Sequence, residues 1–325
     1  MRDHGGDLDR AKALYGAGEW VDLSTGINAL PYPMPDLPPR SWTALPTREE
    51  VSSLETVART AYGAGDGVEC LALAGAQAAI QLVPRLHPAT TAHVVGPTYN
   101  EHAGALQAQG WQVTQTADVE GLRGAVLGVV VNPNNPDGRL WTPEALIEIA
   151  QDVGLLVVDE SFADPAPEYS MARYLDRLPA GLRIVVLRSF GKFYGLAGVR
   201  LGFALGDPEI IGRMRAFAGP WAVGGPAIVA GQAALADAEW QGETIARLAR
   251  DTVRMDALAE AAGWSPVGGT VLFRTYDTGD AAAVQARLAR TQIWTRCFPY
   301  SQGWLRIGLP GTEEDWARME AAMRP

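Results

Sequence analysis

Lysine is nearly missing from this sequence: of its 27 basic residues all but Lys12 and Lys192 are arginines. The cationic surface is therefore built from arginine, and a lysine kept at position 192, in the almost uncharged run LRSFGKFYGLAGVRLGFALG, asks for a chemical reason. A guanidinium does not shed its proton in a protein, whereas an amine can be desolvated, neutralised and used as a nucleophile towards a carbonyl. Cysteine is as scarce: Cys70 and Cys297 are too few for a disulfide framework. The stretch MRDHGGDLDRAKALYGAGEW lacks the apolar core of a secretory signal, so a cytoplasmic location is expected. No uninterrupted apolar run reaches the roughly 18 to 20 residues that cross a bilayer, and no membrane span is expected. There is no basic excess either. A formal net charge of -10 repels nucleic acid and anionic membranes, so neither is an expected partner, and an anionic substrate has to be held by local arginines.

What is present is the composition of a globular protein, 325 residues with 47% apolar and 20% charged side chains, long enough for one large core and a smaller second domain. From residue 47 onward, apolar β-rich runs alternate with amphipathic helical patterns. TREEVSSLETVARTAYG opens with a capping box, Thr47 to Glu50, and stops at Gly63. VECLALA, TAHVV, WQVTQT, AVLGVVV, LLVVD, RIVVLR and RLGFALG read as strands, mostly separated by helices such as TPEALIEIAQDVG, capped by Thr142 with Pro143 in its first turn. That alternation predicts an α/β domain: a mainly parallel seven-stranded sheet between helices, with ligands gathered at the carboxyl ends of its strands. Beyond about residue 225 the pattern becomes one long Ala-rich helical run to Ala262, then short strands around VLFRTY and WLRIGL and a capped closing helix. The expected organisation is an amino-terminal arm with part of a small domain (1–40), a large α/β domain (41–225) and a small α+β domain (226–325).

Several chemistry-bearing residues fall at predicted strand ends. Gly75-Ala76-Gln77 opens a helix, where unpaired N–H groups suit a phosphate. Tyr99 follows TAHVV and offers an aromatic face. NPNNPDG, with Asn135, forms a rigid polar loop after AVLGVVV. Asp159 closes LLVVD with Glu160 beside it, and a buried carboxylate wants a cation. Ser189 and Lys192 follow RIVVLR, and Arg200 stands eight residues further on.

In order and spacing, Gly75, Tyr99, Asn135, Asp159, Ser189, Lys192 and Arg200 match the cofactor site of fold-type I pyridoxal 5'-phosphate enzymes, and the chain resembles the class I/II aminotransferase superfamily over nearly its whole length. The resemblance implies that Lys192 carries the cofactor covalently and later moves a proton at the substrate's reacting carbon, with Asp159 and Tyr99 as the other catalytic residues. Asp159 would face the pyridine nitrogen, Asn135 the phenolic oxygen and Tyr99 the ring face. Gly75, Ala76, Gln77, Ser189 and Arg200 would lie around the cofactor phosphate, and Arg306 would fork the substrate carboxylate. It also implies a homodimer and no metal. Two departures stand out. Phe162 occupies the region where relatives often carry a tyrosine, and Leu45-Pro46 stands where they often carry Tyr-Pro reaching the neighbouring subunit's cofactor phosphate.

Within the superfamily, HGGDLDRA, DLSTGINALPYP and RSFGKFYGLAGVRLGF look like the branch that decarboxylates L-threonine O-3-phosphate for cobalamin synthesis. A histidinol-phosphate or related aminotransferase is the alternative, and a cofactor-binding scaffold with a regulatory role is a third reading. For the decarboxylase branch the expectation is that Arg306 and Asn28 fix the carboxylate, while His4, Gly5, Gly6 and Arg296 gather the phosphate of a small phosphorylated amino acid.

Overall fold

The computed structural model describes residues 4–324. The chain divides into two compact units, one comprising residues 32–135 and 140–238, the other residues 1–31, 136–139 and 239–325.

The larger unit is built on a seven-stranded sheet in the order Glu69–Leu73, Gly202–Gly206, Ile184–Ser189, Leu155–Asp159, Leu127–Val131, Thr91–Val95, Gln112–Thr116. All pairings are parallel except the two made by Gly202–Gly206, which runs against both neighbours. The central strands LGVVV and LLVVD are buried along their whole length, because helices cover both faces and every side chain then needs an apolar environment. The edge strand QVTQT is polar and largely exposed, as a strand with one unpaired side tolerates. Leu73, Ile80, Val94, Leu106, Trp111, Val129, Val157, Leu187 and Met214 belong to one continuous core that fixes the strand ends.

Local signals set the helix boundaries. The helix Arg48–Ala61 starts with the reciprocal capping box, Glu50 N donating to Thr47 Oγ1 at 3.2 Å and Thr47 N to Glu50 Oε2 at 2.6 Å. Thr142 caps Pro143–Ala150 through Ala145 N. The Ala-rich helical region resolves into two helices, Gly225–Ala236 and Ala238–Ala261, separated at Asp237, whose backbone leaves the helical region (φ -90, ψ 80). Its side chain accepts from the Tyr32 hydroxyl at 3.2 Å, a use for the short carboxylate that competes with continuing the helix.

The smaller unit carries an antiparallel four-stranded sheet in the order Arg296–Phe298, Ser301–Gly308, Phe273–Asp277, Ser265–Thr270, and a short parallel pair of Val21–Asp22 with Ile293–Trp294. The helices Ala281–Arg290, capped by Asp280, and Glu313–Met323, capped by Thr312, belong to the same unit. Residues 136–139 also belong here. A Cβ on Gly138 would lie 2.1 Å from Gly269 O, so only glycine fits that approach.

Candidate active site

Asp159 ends the Leu155–Asp159 strand and is 2% exposed. Burial pushes its carboxyl up, but His102 Nε2 at 2.7 Å from Oδ2, with the Ser161 hydroxyl and N–H both on Oδ1, outweighs that and leaves it below its ordinary value. The charged form is thus the stable one. His102 comes from the Glu101–Ala108 helix and is itself buried. Sequence reasoning passed over it. The available signal was its place three residues after Tyr99, and the two rings meet edge to face with centroids 6.3 Å apart.

Across the neighbouring strands lies a cradle with little room for side chains. Gly75 has φ +83, and a Cβ there would come within 2.7 Å of Arg200 Nη2. On Gly202 a Cβ would meet Ala76 N at 2.4 Å and Gly75 C at 2.6 Å. Two glycines therefore bring the guanidinium and the Gly75–Ala76 backbone into one place. Arg200 adopts a left-handed conformation (φ 55, ψ 56) and donates through Nη1 to Ala197 O at 3.1 Å. Ser189 stands at the N-cap position of the short helix Phe190–Phe193 that holds Lys192, whose Nζ lies 5.6 Å from the Phe162 ring centre.

Gln77 has its side chain engaged elsewhere in the unit: Nε2 donates to Glu101 Oε2 at 3.0 Å and Oε1 accepts from the Tyr99 hydroxyl at 3.3 Å. That pins the Tyr99 ring from its far end. Asn135 is 7% exposed, and its loop is tied down by its own asparagines. Asn132 takes Trp141 N on Oδ1 and gives Nδ2 to Trp141 O. Asn134 accepts from Thr98 Oγ1 at 2.6 Å and donates to Pro97 O at 3.0 Å, joining the loop before Tyr99 to the one bearing Asn135. Leu45 is an exposed apolar side chain, 63% accessible.

In the smaller unit, Arg296 and Arg306 stand directly opposite each other on paired antiparallel strands. Both are buried, at 9% and 1% exposure. Directly opposed side chains share a face with Cβ atoms about 5 Å apart, and here each guanidinium lies over a ring, Arg296 over Phe298 at 5.0 Å and Arg306 over Phe273 at 5.2 Å. Arg306 donates through Nη2 to the backbone oxygen of Ser24, and Ser24 Oγ accepts from Gly6 N at 2.7 Å, so the HGG segment is fastened to the Arg306 strand through one residue. A Cβ on Gly5 would lie 2.3 Å from Ser24 O, which requires glycine there. His4 is exposed. Asn28 is buried, and its Oδ1 accepts from Leu30 N and from Arg247 Nη2 at 2.7 Å. Arg247, in the Ala238–Ala261 helix, is a further arginine that sequence reasoning did not single out.

Residues 56–321 match the family Aminotransferase class I and II, and the chain belongs to that family. It is 42% identical over 318 residues to a threonine-phosphate decarboxylase of Sinorhizobium sp, covering 94% of this chain and 92% of the relative. To the threonine-phosphate decarboxylase of Pseudomonas aeruginosa it is 40% identical, covering 99% and 97%. The crystal structure of histidinol-phosphate aminotransferase from Sinorhizobium meliloti in complex with pyridoxal-5'-phosphate superposes with a TM-score of 0.80 at 21% identity, covering 99% and 94%, and shares the fold. The larger unit fits such a cofactor on its own geometry: a glycine-lined, arginine-capped cradle for a phosphate, a buried charged carboxylate and an amine.

Proposed function

We propose that this chain is a pyridoxal-phosphate-dependent decarboxylase that converts L-threonine O-3-phosphate to carbon dioxide and (R)-1-amino-2-propanol O-2-phosphate, for use in corrinoid synthesis. The observation that carries it is the buried pair Arg296 and Arg306, set side by side by strand register, which suits a small amino acid with two anionic groups. The near full-length similarity to proteins named threonine-phosphate decarboxylase supports the same reading.

When bound, the cofactor supplies an electron sink for the pair left behind as the carboxylate departs. The residues of this chain do the rest. The Gly75–Ala76 backbone, Ser189 and Arg200 would hold its phosphate, with charge-assisted hydrogen bonds sharing the negative charge. Asp159, kept ionised by His102 and Ser161, would hold a proton on the pyridine nitrogen. Asn135 would donate to the phenolic oxygen without help at position 162, because Phe162 has no hydroxyl. Tyr99, anchored by Gln77, would lie against the ring face. Lys192 Nζ would hold the cofactor in the resting enzyme and deliver a proton to the substrate carbon that has lost carbon dioxide.

Orientation would decide between loss of the carboxylate and loss of the α-proton, so the grip of these residues on the substrate's anionic groups would decide decarboxylation over transamination. Arg306 would take the carboxylate and Arg296 the phosphate, with His4 and the Gly5–Gly6 backbone closing on the latter. Asn28 would orient through Arg247. We place the enzyme in the cytoplasm as a homodimer.

The test is an end-point assay with threonine phosphate and no 2-oxo acid. Release of carbon dioxide and aminopropanol phosphate is expected. Turnover of histidinol phosphate that requires a 2-oxo acid acceptor, with no carbon dioxide from threonine phosphate, would replace this reading with an aminotransferase.

A further inference from the structure

Behind the strand ends that carry Asp159 and Ser189, the larger unit buries an ionic cluster that the reaction described above does not use. Arg188 is 3% exposed, Glu160 0%, and the Asp164 side chain 6%. Arg188 Nη1 donates to Glu160 Oε2 at 2.8 Å and Nη2 to Asp164 Oδ1 at 2.9 Å. The face of its guanidinium lies over the Tyr62 ring, 4.1 Å from the centre. Glu160 also accepts from Ser170 Oγ at 2.6 Å and from Met171 N, so both of its oxygens are used. Asp164 is served on one oxygen only: among the described residues its Oδ2 has no hydrogen-bond partner. Burial pushes both carboxyls up, against the pull of Arg188 downward.

The placement is what gives the cluster meaning. Asp159 pairs with Leu187 in parallel register, and Glu160 N continues the ladder to Leu187 O at 2.8 Å. Glu160 and Arg188 are therefore the next rung, one residue after Asp159 and one before Ser189. Because successive side chains of a strand point to opposite faces, the rung closes on the side away from Asp159 and Ser189. One planar fork ties the two strands just beyond the point where the ladder between them ends.

We propose that Arg188 is a positioning residue for the cofactor: its fork clamps Glu160 and Asp164 behind the shelf and so fixes the distance from the Asp159 carboxylate to Ser189 and Lys192. Glu160 has both oxygens engaged, whereas Asp164 offers Arg188 a single oxygen, an acceptor that Asp164→Asn keeps. The clamp is accordingly asymmetric. Removing the charge of Glu160 opens it, whereas Asp164→Asn preserves it.

The proposal rests on the pyridoxal-phosphate reading, and the experiment separates the two. Wild type, Arg188→Lys, Glu160→Gln and Asp164→Asn are stripped of cofactor and titrated with pyridoxal phosphate by equilibrium dialysis. The pH midpoint of the visible absorption band is then measured on the folded, loaded fraction, which a loss of stability alone does not move. Arg188→Lys and Glu160→Gln are expected to weaken cofactor binding about tenfold or more, the scale seen when a partner behind a ligating group is lost. Both should shift the band midpoint by more than about half a pH unit, since the surroundings of the ring nitrogen and the lysine change. Asp164→Asn is expected to stay within about threefold of wild type in affinity, a difference of under about 0.7 kcal/mol. Unchanged midpoints with unchanged affinity in folded Arg188→Lys and Glu160→Gln overturn the clamp. So does an Asp164→Asn protein as impaired as Glu160→Gln, or failure of both Arg188→Lys and Glu160→Gln to yield folded protein. A wild-type protein with no borohydride-sensitive band removes the cofactor reading itself.

Discussion

The two units handle charge differently. In the larger one, the buried carboxylates of Asp159, Glu160 and Asp164 meet basic side chains inside the same unit: Asp159 meets His102, and Glu160 and Asp164 meet Arg188. In the smaller one, two buried arginines face each other across paired strands, each guanidinium over an aromatic ring, and Arg306 gives a donor to a backbone oxygen. The first pattern is that of a surface preorganised for a resident group whose electronics must not drift. The second sets two cations on one face, an arrangement that a substrate with two anionic groups would use. Internal pairing fixes geometry at the cost of available charge.

Breaking the contrast at its strongest point means removing the amine. Lys192→Ala is expected to lower turnover on the order of 10³-fold or more while the protein still takes up cofactor non-covalently, measured as loss of borohydride incorporation with retained dialysis binding. Next come the arginines. Arg306→Met and Arg296→Met should each cost roughly 2–5 kcal/mol in kcat/KM for threonine phosphate, since each leaves an anionic group of the substrate without its charged partner. A fall in melting temperature with unchanged kinetics would assign the pair to the fold.

The third test sharpens the pH behaviour. Asp159 has a folded value below its unfolded one, so its contribution to stability is complete above the unfolded value and is lost as pH falls through the folded one. His102→Gln removes the imidazole that holds the Asp159 carboxyl down and leaves the burial that pushes it upward. The acid limb of the stability curve should then move to higher pH, read by urea denaturation on the acid side of neutrality. The smallest effect is away from both regions: Thr47→Ala should cost about 1 kcal/mol of stability with no change in kinetics.

Where sequence and structure agree, the reason is local. The capping box at Thr47, the Pro143 start and the all-apolar strands LGVVV and LLVVD are decided by neighbours in the chain or by uniform burial, so they can be read without coordinates. The residues expected around a cofactor were named because chemistry-bearing side chains recur at strand end after strand end, and the structure brings Gly75, Ala76 and Arg200 into one place. What escaped depends on partners far apart in sequence. His102 meets Asp159 across 57 residues, and Arg247 meets Asn28 across 219. The break at Asp237 needs Tyr32, 205 residues away, to explain it. Gln77 belongs to this class too: its position pointed to the phosphate, while its side chain is committed to Tyr99 and Glu101.

The reversed strand Gly202–Gly206 has a further effect. Lying antiparallel to Ile184–Ser189, with Ser189 opposite Gly202, it needs no crossover helix, and the chain turns back at the very edge where its parallel neighbours finish. The span from Lys192 to Arg200 thereby acts as a ruler of fixed length, both ends marked on the same rim. A single added residue within it would slide the guanidinium off Gly75 while leaving the amine in place.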